Sequence, residues 1–239
     1  MAAAFALVSK NQTLKLAFNS LLFSLAIFWW RGTGGFWPAS IMLCLLAYNY
    51  FRPLAQGGRF LVVLLAIGTL PFIFPPLDSW EIYFALFVGA LAYVLIGIKD
   101  LLFVSRKTIC QFLYFLISGV VIYLYLLGPT TVKQIGVFIF LTVLLRELYN
   151  FVTDGARARA LLISLVYSLL ALEFGWVTSL LPMHQLLAAV LVTAALFVTH
   201  DLTLNYSSGE LSRRLIARDL IVFFVLVILV FTLSPWNLV

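Results

Sequence analysis

Charge is scarce in this sequence. Only 10% of the 239 residues are Asp, Glu, Lys or Arg, whereas 64% are hydrophobic. A soluble domain carries about 25% charged and about 45–50% apolar residues. Because water could not solvate a surface of this composition, a water-soluble domain is excluded, and lipid or other helices must surround most side chains.

Cysteine and histidine are scarce as well. The two cysteines, Cys44 and Cys110, both fall in apolar segments, which argues against a disulfide framework. The two histidines, His184 and His200, fall at opposite ends of one predicted helix. His200 adjoins Asp201, and neighbours on a helix diverge by about 100°, so this pair cannot chelate one metal well. We therefore predict no metal and no other cofactor.

Long alternating segments are also absent. Runs such as 61–65 and 221–225 are apolar at every position, which excludes the alternating strands of a membrane barrel. Gly and Pro instead interrupt apolar stretches that suit spanning helices of about 17–25 residues. The sequence thus predicts an all-α polytopic membrane protein, with residues 1–239 forming a single integral membrane domain.

About nine spans are expected, and seven or eight remain open. The first two, joined by Arg31–Gly35, could instead form a hairpin that does not fully cross the membrane. The predicted spans are 16–30, 36–51, 60–75, 80–98, 108–127, 133–150, 159–181, 185–200 and 219–235.

The basic residues predict the orientation. With the N-terminus in the cytoplasm and nine alternating spans, thirteen of the fifteen Lys and Arg residues lie on the cytoplasmic side, and only Arg31 and Lys133 lie outside. Short cytoplasmic loops retain Lys and Arg, so we predict a cytoplasmic N-terminus and a C-terminus on the opposite side. The net charge of +6 forms no patch able to track a phosphate backbone, and no nucleic-acid partner is predicted. We expect the cytoplasmic membrane of a prokaryote.

The chain resembles itself at an offset of about 101 residues. Tyr48-Asn49-Tyr50 ends the second predicted span and Tyr149-Asn150-Phe151 the sixth, while Lys99-Asp100 ends the fourth and His200-Asp201 the eighth. An even number of helices separates the copies, which predicts a parallel internal repeat. The alternative is that aromatic and basic residues simply recur at membrane boundaries. The predicted halves are 36–127 and 133–235.

Glu173 is the first candidate site. It lies past the middle of the seventh predicted span, where an ionisable side chain marks a pathway or a functional site by default. The alternative is an interfacial acid, because Trp176 follows closely and Trp prefers the membrane interface.

Polar residues at the cytoplasmic helix ends form the second candidate site. Glu147, Asn150 and Asp154 are spaced i, i+3 and i+7, so a helix would place them on one face. Such a face lines a vestibule or pairs with basic residues of a neighbouring loop. The full candidate cluster comprises Glu147, Asn150, Asp154, Arg157, Arg159, His200 and Asp201.

No complete catalytic motif is present, and no catalytic residue is predicted. The segment Asp154–Arg159 resembles the first half of the CDP-alcohol phosphotransferase motif, D-G-x2-A-R, but Ser168, Leu172 and Trp176 occupy the positions of the second half. Those side chains supply no carboxylate to hold a catalytic cation, so the resemblance implies no activity.

Two functional hypotheses follow. The first is a subunit of a membrane complex, or a carrier for a hydrophobic or lipid-like solute. The alternative is a membrane-embedded enzyme that acts on lipid head groups at the cytoplasmic face. Membrane lipids are expected partners, and the polar interval 201–218 is expected to form a cytoplasmic loop that binds a protein.

Overall fold

The computed structural model describes residues 2–52, 60–100, 105–153, 157–207, 209 and 211–234; for residues 2–12, Asp78 and Arg157 only the backbone is described. Nine α-helices and no strand occur in these ranges. The helices are α1 (Ala2–Thr33), α2 (Phe36–Phe51), α3 (Leu61–Ile73), α4 (Glu81–Lys99), α5 (Arg106–Leu126), α6 (Thr131–Val152), α7 (Arg157–Ser179), α8 (Gln185–Ser207) and α9 (Arg213–Leu233), with a 3₁₀ turn at Asp78–Trp80.

The fold is that of a polytopic helical membrane protein, as predicted. Seven helices are long and apolar enough to cross a membrane, and in α1 the qualifying part is Thr13–Thr33. The two shorter apolar helices are α2, with 16 residues, and α3, with 13. By length, α2 and α3 are the two apolar helices shorter than the other candidate spans. Which helices cross the membrane, including the predicted hairpin of the first two, stays a prediction.

The helices begin and end at residues with recognisable physical roles. The Oγ1 atom of Thr130 accepts a hydrogen bond from the Lys133 backbone N–H at the start of α6, and Ser212 Oγ does the same for Leu215 at the start of α9. Such N-caps satisfy backbone donors that have no partner within the helix. At the end of α1, Gly34 adopts φ +64°, the left-handed conformation in which glycine is favoured.

The interval 201–218 is mostly helical, so the prediction of one loop there was wrong. α8 continues to Ser207 and α9 begins at Arg213. The side chains of Thr203 and Asn205 donate hydrogen bonds to the carbonyls of Thr199 and Asp201, respectively, one turn earlier. A hydropathy pattern ends where polar residues begin, but helical hydrogen bonding does not need apolar side chains. Ser208 and Glu210, within the shortened connection, lie outside the described residues.

The chain divides into two compact units, Met1–Leu113 and Tyr114–Val239, with the boundary inside α5. In the first unit, α1 packs against α2 and α4, and α3 packs against α4. Gly89 of α4 lies so close to α1 that a Cβ atom there would stand 1.8 Å from Ser24 Oγ and 3.0 Å from the Ser20 carbonyl oxygen. Small residues at such contacts let two membrane helices approach closely.

In the second unit, α6 packs against α7, α7 against α8, and α8 against α9. The part of α5 in this unit meets α8, since the Phe115 and Phe197 rings lie 5.3 Å apart between centroids. Gly119 faces Thr193, whose Oγ1 atom would be 3.0 Å from a Cβ atom at Gly119. Side chains of several helices therefore form a packed interior in this unit.

Candidate functional site

A polar cluster in the first unit surrounds Arg31, near the end of α1. Its side chain is only 7% exposed. Nη2 donates to Glu81 Oε1 at 2.8 Å and to the Pro75 carbonyl at 2.8 Å, and Nε donates to Glu81 Oε2. Nη1 donates to the carbonyls of Pro71 at 2.8 Å and Phe74 at 3.0 Å. All the N–H groups of the guanidinium therefore have an acceptor.

This cluster ties three helix ends together. The last carbonyls of a helix have no partner within the helix, and a cation is favoured beside them. Arg31 of α1 meets that need at the end of α3 and also pairs with Glu81, the first residue of α4. Glu81 Oε1 additionally accepts a hydrogen bond from the Leu77 backbone N–H at 2.8 Å. Sequence reasoning counted Arg31 only as an outer-loop charge and missed this role.

Two further basic side chains of the first unit act on helix carboxyl ends. Lys99 is 4% exposed, donates to the Tyr50 carbonyl at the end of α2, and lies 4.9 Å from the centroid of the Tyr50 ring. Arg106 donates to the Ile98 carbonyl at the end of α4, from Nε at 3.0 Å and from Nη2 at 2.8 Å. The role of Lys99 and Arg106 is therefore structural, because each cation stabilises the carboxyl end of a helix.

Hydroxyl groups inside the predicted spans are also bonded locally. Ser118, Thr142, Ser168 and Thr193 each donate to a carbonyl one turn earlier on their own helix. This arrangement satisfies a hydroxyl that has no water available. The hydrogen bonds of these hydroxyl groups therefore stay within single helices and do not indicate a polar pathway between helices.

The predicted cluster at the helix ends falls into separate groups where it is described. Tyr114 donates from its hydroxyl to Glu147 Oε2 at 2.9 Å, which ties α5 to α6. Asn150 and Arg159 are exposed. Asp154 lies outside the described residues, and Arg157 opens α7 with a side chain that is not described.

His200 and Asp201 occupy different surroundings, as expected for neighbours on a helix. His200 is 2% exposed, its ring centroid lies 5.2 Å from that of Phe115 and 6.0 Å from that of Tyr167, and its Nε2 has no hydrogen-bond partner among the described residues. Asp201 pairs with Arg218 of α9 at 3.2 Å, and Arg218 also binds Asp219 at 2.8 Å.

These distances define what the predicted cluster can do chemically. Within the described ranges, no group of three or more His, Cys, Asp or Glu residues could hold a metal ion. The described members form a Tyr–Glu hydrogen bond, a buried imidazole among aromatic rings and an Asp–Arg–Asp ion-pair group. Because Asp154 and the Arg157 side chain are not described, the cluster as a whole stays a prediction.

Glu173 lies on the outward side of α7. The packed side of this helix includes Ser164, 1% exposed, and Ala171, 2% exposed. Glu173 follows Ser164 by nine residues, so at 100° per residue it points about 180° away from it. Glu173 is exposed and has no hydrogen bond or ion pair within the described part of the chain.

Arg159, exposed near the start of α7, lies on this side too, and the exposed residues between it and Ser179 that share the side with Glu173 are apolar. They are Leu162, 64% exposed, Val166, 46%, Leu169, 52%, and Trp176, 61%. We call these four residues and Glu173 the α7 outer face. It is a continuous apolar stripe with one carboxyl group inside it.

Comparisons with protein-family models, with curated proteins and with solved structures return no match. On the α7 outer face, the Glu173 carboxyl is exposed and has no partner among the described residues.

Proposed function

We propose that the chain is an integral membrane subunit of a protein complex and that it meets another component through the α7 outer face. The observation that carries this proposal is the exposed carboxyl of Glu173, which stands alone in an apolar stripe. Many polar side chains in the spans bond to each other or to helix carbonyls, whereas the Glu173 carboxyl faces outward among apolar side chains with no such bond among the described residues.

The position of Glu173 along α7 supports the proposal. α7 has 23 residues, which corresponds to a length of about 34 Å at about 1.5 Å per residue. Glu173 lies six residues before Ser179, the last residue of α7, or about 9 Å from that end. A charged side chain costs about 2.5–3.5 kcal/mol at the centre of a spanning helix, and less closer to the membrane interface. A partner that donates hydrogen bonds to the carboxylate would offset this cost.

The predicted orientation belongs to the same proposal. A cytoplasmic N-terminus places the start of α7 on the cytoplasmic side and Glu173 toward the opposite side of the membrane. The distribution of Lys and Arg supports this arrangement. The proposed contact therefore lies in the outer half of the membrane, where the partner must also extend.

Site-directed photo-cross-linking in the native membrane tests the proposal. A photoreactive residue at Leu169 lies one turn from Glu173, and Ile228 of α9, 62% exposed, provides a control position on another apolar helix surface. We expect a protein adduct of defined mass at Leu169, lipid adducts alone at Ile228, and loss of the protein adduct in Glu173→Leu. Lipid adducts alone at both positions would overturn the proposal.

A further inference from the structure

We infer that the component covering the α7 outer face is a membrane-spanning helix of a different protein, and that this helix presents a Lys or Arg side chain to Glu173. The inference rests on the proposed function and adds the shape and the charge of the partner. It follows from the spacing of the exposed residues, from the charges available in this chain, and from the symmetry of self-association.

The spacing of the α7 outer face fits a helix. Leu162, Val166, Leu169, Glu173 and Trp176 follow one another at intervals of four, three, four and three residues. An average of about 3.5 residues is the repeat with which one helix packs along another. The stripe from Leu162 to Trp176 is about 21 Å long at about 1.5 Å per residue. A neighbouring helix can cover that length with its own backbone hydrogen bonds satisfied, as the membrane interior requires.

The charge of the partner follows from the chemistry of the carboxylate. An ionised carboxyl only accepts hydrogen bonds, and the strongest donors to it are Arg and Lys. The two basic residues expected in the same half of the membrane are engaged or placed elsewhere. The donors of Arg31 all have acceptors, and Lys133 Nζ lies over the turn at Gly128, 3.4 Å from where a Cβ atom would stand there. The positive charge must therefore come from the partner.

In the first unit, an acidic and a basic side chain already pair between two helices. Arg31 and Glu81 connect α1 to α4 at the end of the helices, with the Arg31 side chain almost fully buried. A paired acid and base is thus compatible with helix packing in this protein. The outer face of α7 carries only the acidic member of such a pair.

Self-association through this face is disfavoured by symmetry. A two-fold dimer in a membrane has its axis along the membrane normal, so the two α7 helices run parallel and equivalent residues lie at the same depth. Packing α7 against its own copy through this face would therefore bring the two Glu173 carboxylates close together. Repulsion between like charges costs free energy and therefore disfavours a second copy of this chain as the partner. Cross-linking of α7 to a second copy of this chain would therefore contradict the inference.

The test is a charge series at residue 173 with the photo-cross-linker at Leu169, in the full-length chain and its native membrane. We expect the protein adduct to fall about tenfold or more in Glu173→Leu and Glu173→Lys, the scale of losing one charge-assisted bond. Glu173→Gln should retain an intermediate yield, because an amide oxygen still accepts a hydrogen bond. Lys133→Glu is the matched control, because it changes a charge expected in the same half of the membrane but away from the α7 outer face, and should leave the yield unchanged.

The cross-linking results distinguish failure of the proposed function from failure of the inferred partner chemistry. No protein adduct in the unaltered chain sinks the proposed function itself. An adduct whose yield does not depend on the charge at residue 173, or that rises in Glu173→Lys, overturns only the inference of a basic partner. An adduct of twice the mass of this chain overturns the different-protein inference in favour of a second copy. Equal thermal unfolding of the purified variants confirms that the yields report docking and not misfolding.

Discussion

At the scale of single residues, basic side chains of the first unit stabilise the carboxyl ends of helices. Arg31 acts on α3, Lys99 on α2 and Arg106 on α4. The sequence predicted their positions near helix ends but assigned them only to orientation. Their partners are backbone carbonyls, which every residue has, so the sequence does not identify them. The helices that these cations stabilise become neighbours only in the folded chain.

Arg31→Leu should reduce the free energy of unfolding by about 3–5 kcal/mol, because it leaves Glu81 and several carbonyls without their cation. Glu81→Gln should cost less, since the amide oxygen can still accept from Arg31. Chemical unfolding in detergent micelles measures both. Lys133→Gln is the control and should change the value by no more than about 0.5 kcal/mol. Equal stability of Arg31→Leu and the unaltered chain would contradict the assigned role.

Asp100 gives a pH-dependent prediction. Burial raises the pKa of its carboxyl above the ordinary value of 3.8, and the Lys99 ammonium opposes this shift. The folded chain thus holds this proton more tightly than the unfolded chain. The associated stability is present at low pH and is lost as the pH rises from 3.8 through the folded-state pKa. Above that pKa the contribution no longer changes with pH.

In Asp100→Asn the side chain does not titrate, so this pH-dependent contribution to stability is absent. The unfolding temperature of the variant relative to the unaltered chain should therefore rise with pH across that window and then level off. Paired thermal unfolding in detergent from about pH 3 to about pH 7, a range that brackets ordinary carboxyl titration, measures the difference. A difference that stays constant with pH would mean that Asp100 titrates normally in the folded chain.

At the scale of helices, close approach between α1 and α4 organises the first unit. Gly89 and Ser24 are neighbours there, and nothing in the sequence distinguishes Gly89 from a glycine that faces lipid. The order and type of the helices were predictable from apolar length. Their contacts were not, because these depend on which small residues face each other. α8 and α9 extend beyond their predicted spans for a related reason, since hydropathy measures lipid contact and not helical hydrogen bonding.

Gly89→Ala should destabilise the chain by about 1–3 kcal/mol, the usual cost of an overpacked contact. Ser24 Oγ can rotate away from the new methyl group, but the Ser20 carbonyl oxygen at 3.0 Å belongs to the backbone. Gly136→Ala is the matched control, because a Cβ atom there meets nothing within 4 Å. Thermal unfolding of both variants in the same detergent compares them, and an equal effect of the two substitutions would contradict close packing at Gly89.

At the scale of the whole molecule, the predicted class of helical membrane protein is confirmed, whereas the orientation and the internal repeat stay predictions. Composition decided the class because so few charged residues are available. Glu173 was selected from the sequence as a polar residue in a span. Its position on the outward side of α7 became apparent only when the packed side of that helix was known. The Arg31 cluster could not be predicted, since it joins residues about 40 to 50 positions apart through the tertiary contacts of the first unit.

Accessibility to a membrane-impermeant thiol reagent tests the orientation. In a chain whose own cysteines, Cys44 and Cys110, are replaced by Ala, we expect Lys133→Cys to be labelled in intact cells. Arg213→Cys should be labelled only after the membrane is permeabilised, because its side chain belongs to the cytoplasmic side. Labelling of both positions from the same side would contradict the alternating arrangement.

The central claim is that another helix covers the outward side of α7. The most direct measurement is a photo-cross-linking scan in native membranes over the exposed positions Leu162, Val166, Leu169 and Trp176, with Ile221, Val225 and Ile228 of α9 for comparison. The account predicts one protein adduct shared by the four α7 positions and lipid adducts along α9. A profile in which both helices yield only lipid adducts would contradict it.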